Sequence, residues 1–139
     1  MRKTMRKICI CLVAVMLLST ANVTAMGSPN MDSEIVPHYD VIKSIRSNLE
    51  INRSGKATCS ASVRTSSVDY TINLTCTLYK SDGSVVKSWS TTGKGTVSME
   101  KNWYVTSGSS YQVEASATVY DSTGNYVDSD NAYSEIVYY

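Results

Sequence analysis

Three long stretches of the chain alternate between hydrophobic and polar side chains. The apolar side chains recur at every second position in residues 57–63, 72–78 and 111–119, and mostly Ser and Thr fill the positions between them. A period of two is that of a β-strand with one buried face and one solvated face. We therefore predict three amphipathic strands here, and a less regular strand over residues 97–105.

The stretch from Tyr39 to Leu49 fits two kinds of element. Ile42 and Ile45 lie between these residues at the spacing of one helix face. Leu49 and Ile51 also alternate into the following turn, as they would in an irregular first strand. The pattern therefore leaves two alternatives, a helix or a strand.

Turn-forming residues separate the predicted strands. They stand at Asn52–Gly55, Asp82–Gly83, Gly93–Gly95, Ser107–Gly108 and Ser122–Asn125. The Asp-Gly pair is typical of a tight hairpin, because both of its positions tolerate a positive φ. About seven strands at spacings of roughly 8–12 residues are typical of an all-β domain. We predict an antiparallel, immunoglobulin-like β-sandwich over residues 41–139.

The beginning of the chain has the pattern of a secretory signal peptide. Four basic residues stand within the first seven positions, an unbroken apolar run covers Ile8–Leu18, and the small residues of Val23–Ala25 follow. The apolar run has 11 residues, too few for a permanent membrane-spanning helix. We predict that residues 1–25 are removed and that the mature protein is secreted and does not span a membrane. Residues 26–40, which hold both prolines, are predicted to form a disordered or loosely docked arm.

The charge of the chain changes once the signal peptide is set aside. The first 25 residues hold four of the 13 basic residues and none of the 12 acidic ones, so nine basic and 12 acidic side chains remain, a formal net charge of −3. No Lys or Arg follows Lys101. A nucleic-acid binder needs clustered cations to displace the counterions of the phosphates. We therefore expect no nucleic-acid partner.

Two cysteines, Cys59 and Cys76, remain after removal of the signal peptide. If their strands form a hairpin that turns at Ser67-Val68, the two residues lie opposite each other on the apolar face. Opposed Cβ atoms are about 4.5–5.5 Å apart, which is close to disulfide geometry. The alternatives are a disulfide that closes an 18-residue loop or two reduced, buried thiols. Cysteines on neighbouring strands would also distinguish the chain from a true immunoglobulin domain.

The sequence offers little for catalysis. The one histidine, His38, lies in the predicted arm, and the chain has no Gly-x-Ser-x-Gly elbow and no zinc-binding pattern. Asp121–Asn125 and Asp128–Asn131 are rich in oxygen ligands but lack the spacing of an EF-hand loop. We predict no catalytic residue, no cofactor and no metal site. The alternative is a secreted enzyme or toxin-like effector that uses His38 or the acidic C-terminal region.

Aromatic side chains are the remaining candidates for ligand contact. The chain has ten Tyr, two Trp and no Phe. Four tyrosines fall at outward positions in the predicted strands: Tyr70, Tyr79, Tyr104 and Tyr120. Outward rings can stack on a sugar or a protein partner, although Tyr is also simply a good strand former. Trp89 and Trp103 are predicted to lie in the core.

Several short motifs resemble a group of small, uncharacterised secreted β-rich proteins of Gram-positive, mostly anaerobic bacteria. They are Leu49–Ile51, Ser54–Cys59, Val86–Trp89, Tyr104–Gly108, Tyr111–Val113, Ala117–Ser122, Gly124-Asn125 and Tyr138-Tyr139. The resemblance covers most of the mature chain and concerns strands and turns, so it implies a fold and no activity. In such proteins the position of Cys76 often looks like an ordinary apolar core site, which favours reduced thiols. We expect a non-enzymatic extracellular module whose partner is a cell-surface protein or a glycan.

Overall fold

The computed structural model describes residues 40–139, which form an antiparallel β-domain. Its eight strands are β1 (Ile42–Ile51), β2 (Lys56–Thr65), β3 (Thr71–Lys80), β4 (Val85–Lys94), β5 (Thr96–Tyr104), β6 (Ser110–Tyr120), β7 (Tyr126–Tyr133) and β8 (Val137–Tyr138). The predicted signal peptide and all but the last residue of the predicted arm lie outside the described residues. Between residues 40 and 139 no helix is long and apolar enough to cross a membrane.

The strands form two sheets packed face to face. One sheet has the order β1-β2-β5, and the other has the order β4-β3-β6-β7 with the short β8 paired to β6. This arrangement confirms the predicted all-β, immunoglobulin-like sandwich. In the constant-type immunoglobulin arrangement the fourth strand joins the sheet of the first strand, whereas β4 pairs with β3 here.

The core lies between the sheets and consists of the apolar positions of the alternating stretches. The largest fully buried side chains include Val63, Ile72, Leu74, Leu78, Val113 and Val119. The three strands predicted from period two are therefore confirmed. Of the two alternatives for residues 39–49, the strand is correct from residue 42 onwards, because Ile42–Ile51 pairs with β2, with one irregularity between Ile42 and Ser44.

The predicted hairpin between the two cysteine-bearing strands is wrong. β2 pairs with β1 and β5, whereas β3 pairs with β4 and β6. At the end of β2 the backbone amide of Thr65 donates to Gly95 O and that of Ser66 donates to Val41 O, after which the chain crosses to the other sheet. Alternation with a period of two predicts which side chains of a strand face the core. It does not predict which other strand pairs with that strand.

As a result, Cys59 and Cys76 lie on opposite sheets and not on neighbouring strands. Both are free, fully buried thiols, so the structure has the reduced alternative. Burial, with a further contribution from Cys76, raises the pKa of Cys59 to about 12. Burial raises the pKa of Cys76 to about 11. Both thiols are therefore protonated and poorly nucleophilic at neutral pH.

The two tryptophans close one open flank of the sandwich. Their ring centroids are 6.5 Å apart in an edge-to-face arrangement, and Lys87 Nζ lies 4.7 Å from the centroid of the Trp103 ring. Trp89 is half-buried against the core, but Trp103 is 40% exposed. The core prediction is therefore wrong for Trp103. The reason is that β5 is an edge strand, so no further strand covers that side chain.

The opposite flank brings the first strand against the last long strand. The backbone amide of Ile42 donates to Asp128 Oδ2 at 3.1 Å, and Ser47 Oγ donates to Ala132 O at 3.1 Å. These contacts join positions 86 and 85 residues apart in the sequence. The strand β1 is thus held in place by β7 as well as by β2.

A tyrosine at the start of β6 fixes the connection from β5. Tyr111 is buried, and its hydroxyl donates to Thr106 O at 2.7 Å. A tyrosine that bonds back to the backbone a few residues upstream of this strand is a hallmark of immunoglobulin-like sandwiches. The contact supports the fold assignment independently of strand order.

Between β7 and β8 a serine side chain replaces a backbone acceptor. Ser134 N donates to Val113 O at 2.9 Å, and Val113 N donates to Ser134 Oγ at 2.9 Å. We expect Ser134→Ala to lower the free energy of unfolding by about 1–3 kcal/mol, because the buried Val113 amide would lose its acceptor. Urea unfolding measures the change, with the exposed Ser98→Ala as control. Equal stability of the two variants would contradict this role.

Candidate functional site

The outer face of the five-stranded sheet is almost entirely polar in its central part. Its outward positions carry hydroxyl and amide groups on Ser88, Ser90, Thr92, Asn73, Thr75, Thr77, Ser116, Thr118, Ser129 and Asn131. Several of them bond across strands: Thr75 Oγ1 lies 2.9 Å from Ser90 Oγ, and Thr92 Oγ1 donates to Asn73 Oδ1 at 2.9 Å. The face is therefore an ordered array of small donors and acceptors.

One end of this face opens into a cleft of about 400 Å³. Its lining includes Tyr79, Gln112, Glu114, Tyr133 and Ile136. The strand register places these residues together, because Glu114 on β6 lies opposite Tyr133 on β7, and Tyr79 on β3 lies opposite Gln112 on β6. The side chain of Ile136, 66% exposed, adds an apolar wall. We call this region the Glu114 cleft.

The carboxylate of Glu114 is held by two neighbouring side chains and lies beside a third. Tyr133 Oη donates to Glu114 Oε1 at 3.0 Å, and Asn131 Nδ2 donates to the same oxygen at 3.2 Å. Asn131 Nδ2 also donates to Tyr133 Oη at 3.3 Å. Tyr79 lines the same cleft. The network of Glu114, Asn131 and Tyr133 fixes the direction of the carboxylate and of the Tyr133 ring.

The neighbours of Glu114 also affect its pKa. Partial burial acts to raise the pKa of Glu114, but the interactions with Asn131, Tyr79 and Tyr133 outweigh it, so the pKa lies below its usual value. Interaction with Glu114 raises the pKa of Tyr79 and of Tyr133. At neutral pH the carboxylate is therefore ionised and both phenols are protonated. A phenol oxygen can accept as well as donate, and at Tyr133 part of that acceptor capacity is used by Asn131 Nδ2.

The cleft contains a single carboxyl group. Glycoside hydrolysis generally uses two carboxyl groups about 5–10 Å apart, one of them with a raised pKa. Glu114 is the one carboxylate among the residues that line this cleft, and its pKa is lowered. Nowhere within residues 40–139 do three or more His, Cys, Asp or Glu side chains cluster closely enough to hold a metal ion.

The four tyrosines predicted to contact a ligand have different surroundings. Tyr79 lines the Glu114 cleft, and Tyr120 lies on the same sheet face at its far end. Tyr104 is exposed at the end of β5 in the other sheet, and Tyr70 is half-buried against the core. The structure thus brings two of the four onto one face. His38, the predicted alternative catalytic residue, lies outside the described residues.

The acidic C-terminal side chains are dispersed and largely engaged in structure. Asp121 Oδ1 accepts from Thr123 N at 2.8 Å and from Asn125 N at 3.0 Å. Hydrogen bonds from the side chain of Thr123 and the backbone of Asn125 lower the pKa of Asp121 to about 2. Asp128 binds the amide of Ile42. The oxygen-rich turn therefore uses its carboxylate to close a hairpin.

Sequence reasoning missed Glu114, Asn131 and Tyr133 as members of one site. Glu114 looks like an ordinary solvated residue of an amphipathic strand. The available signal was the turn at Ser122–Asn125. If β6 and β7 pair residue by residue on either side of this turn, Glu114 lies opposite Tyr133. A bulge near Tyr120 does not disturb this register further along the strands.

No protein-family model matches this sequence, and no curated protein matches it significantly. Among solved structures, the chain is similar to a Bacteroides uniformis beta-glucuronidase, with 19% identity, a TM-score of 0.42, and coverage of 64% of this chain and 12% of that one. A beta-glucuronidase from glycoside hydrolase family 2 shows 16% identity and a TM-score of 0.40 over 65% and 11% of the two chains. An endonuclease/exonuclease/phosphatase from Beutenbergia cavernae shows 14% identity and a TM-score of 0.37 over 69% and 27%. The chain thus spans about a quarter or less of each of these proteins, and similarities this low carry no functional argument.

Proposed function

We propose that this domain is a non-enzymatic extracellular binding module that holds an uncharged glycan in the Glu114 cleft. The observation that carries the proposal is the Glu114 carboxylate, held by Tyr133 and Asn131 in a cleft that Tyr79 also lines. The signal-like sequence of residues 1–25 supports an extracellular location.

The chemistry of the cleft complements that of a sugar. A sugar ring presents hydroxyl donors beside apolar C–H faces, and the cleft presents acceptor oxygens beside two tyrosine rings and Ile136. Lys80 lines the same cleft as Glu114, so the two opposite charges leave the cleft without a net charge, which suits an uncharged sugar. With one carboxylate of lowered pKa in the cleft, the bound sugar meets a fixed acceptor and no paired acid.

Removing the charge of Glu114 should weaken glycan binding strongly. Glu114→Gln keeps the size of the side chain but replaces a charged acceptor, so we expect a loss of about 1.5–3 kcal/mol, roughly a 10- to 150-fold weaker affinity. Isothermal titration of the protein with chitohexaose, cellohexaose and xylohexaose measures this effect.

The matched control is Glu100→Gln. Glu100 is an exposed carboxylate on β5, in the other sheet, and we expect its variant to bind like the wild type. If none of the three hexasaccharides binds the wild type, or if Glu114→Gln binds unchanged, the proposal fails. Mass spectrometry of the recovered oligosaccharides tests the non-enzymatic part, since cleavage products that disappear in His38→Ala would indicate the enzymatic alternative.

A further inference from the structure

A second hollow lies on the same sheet face as the Glu114 cleft. It has a volume of about 280 Å³ and is lined by Ser116, Ser129, Asp130 and Asn131. Asn131 connects it to the cleft, because its side-chain amide donates to Glu114 Oε1 at 3.2 Å. The floor of the hollow consists of short side chains, which project less far from the sheet than the aromatic side chains at the far end of the face.

A second pair of aromatic rings stands at the far end of the face. Tyr120 on β6 lies opposite Tyr126 on β7, which is 61% exposed. The hydroxyl of Tyr126 lies 3.0 Å from Ser129 Oγ and so connects this pair to the hollow. At the near end, Tyr133 is 57% exposed. Exposed rings thus flank a polar floor at both ends.

We infer that the ligand is an extended, linear glycan chain that lies along β6 and β7 from Tyr133 to Tyr126. We call this path the trough. The inference rests on the proposed function and specifies its ligand class. Glu114 and Tyr120 are separated by six residue steps, or roughly 20 Å of strand, so a single sugar or a disaccharide reaches only one of the two ring pairs.

The floor of the trough matches the repeating chemistry of such a chain. Hydroxyl groups both donate and accept hydrogen bonds, as do those of a neutral sugar. Outward side chains recur at every second position, and Ser116 lies opposite Asn131 while Thr118 lies opposite Ser129. Glu114 and Asp130 line the path, and Lys80 lies at its Glu114 end.

Contact at both ends makes the binding of a long chain effectively bivalent. We expect the hexasaccharide that binds in the series above to bind at least about tenfold more tightly than its disaccharide. Tyr126→Ala should remove most of this advantage and leave disaccharide affinity unchanged, because Tyr126 lies outside the Glu114 cleft. Tyr104→Ala, which removes an exposed ring from the other sheet, serves as control and should bind both lengths like the wild type.

The outcomes separate this inference from the proposed function. If the disaccharide and hexasaccharide bind equally well and Glu114→Gln still weakens both, the ligand is a short glycan and the inference is overturned. If Tyr126→Ala retains the full length advantage, the chain follows another path and the inference is overturned as well. If no oligosaccharide binds the wild type, the proposed function fails, and the inference fails with it.

Discussion

Gly55→Ala should destabilise the domain by about 2–4 kcal/mol, the sum of backbone strain and steric overlap. Gly55 is buried in the turn before β2 and has a φ of 80°. Residues other than glycine rarely adopt such a positive φ. A Cβ atom there would lie 2.9 Å from Val105 O and 2.9 Å from a ring carbon of Tyr139. The carbonyl group of Val105 cannot move away freely, because the backbone amide of the same residue donates to Gly55 O at 2.9 Å.

The matched control is Gly83→Ala. Gly83 has a φ of 83°, almost the same as Gly55, but no atom lies within 4 Å of the position of its Cβ. Gly83→Ala should therefore lower the free energy of unfolding only by the backbone strain of a positive φ, about 1–2 kcal/mol. Urea unfolding of both variants isolates the steric part as the difference between them. Equal losses would mean that the contacts of Gly55 with Val105 and Tyr139 do not constrain the fold.

Alkaline pH should destabilise the domain steeply because of its two buried thiols. In the unfolded chain both cysteines ionise around pH 9.0, whereas in the folded domain they stay protonated up to about pH 12 for Cys59 and about pH 11 for Cys76. Above pH 9 the unfolded chain therefore binds fewer protons, and stability falls as the pH rises. The contribution is fully present below pH 9. Each thiol then lowers the folding equilibrium constant by about tenfold per pH unit until its folded pKa is reached.

The variant that isolates this effect carries Cys59→Ala and Cys76→Ala together. It should be less stable at every pH, because two core side chains are truncated, but its stability should fall less steeply between pH 9 and 11. Tyr79 and Tyr133, whose pKa values are raised by Glu114, contribute to the slope of both proteins alike. Chemical unfolding at pH 8, 9, 10 and 11 provides the comparison.

Thiol counting completes the same experiment. Alkylation followed by intact mass measurement should label no cysteine in the native protein and both Cys59 and Cys76 after denaturation without reductant. Identical slopes for the double variant and the wild type, together with labelling only after reduction, would show that the cysteines are bonded.

The strand content of this domain is predictable from sequence, but its division into sheets is not. Residues 72–78 are recognisable as a strand because their side chains alternate between apolar and polar types. This alternation requires only that one face of the strand contacts the core and the other contacts solvent. The partner of such a strand depends on where the connecting segment leads. A short connection near Ser67-Val68 is equally compatible with a hairpin and with a crossing between sheets, and the backbone bonds of Thr65 and Ser66 select the crossing.

The candidate site was predictable only in its aromatic part. Tyr79 and Tyr120 follow from outward positions on strands, which alternation defines. Glu114 and Tyr133 form a site only through the register of β6 with β7. Register depends on the geometry of the turn and on which strands pair, and alternation alone predicts neither of them. Trp103 illustrates the same point, since its exposure follows from the position of β5 at a sheet edge.

The contacts of β1 with Asp128 and Ala132 also determine how quickly the chain can fold. A topology in which the first strand contacts residues some 85 positions downstream has a high contact order. All-β domains of this kind fold in roughly milliseconds to seconds. While a nascent chain still lacks β7, β1 is without one of the two strands that it contacts. The sandwich would then close only after residues 126–133 have been synthesised.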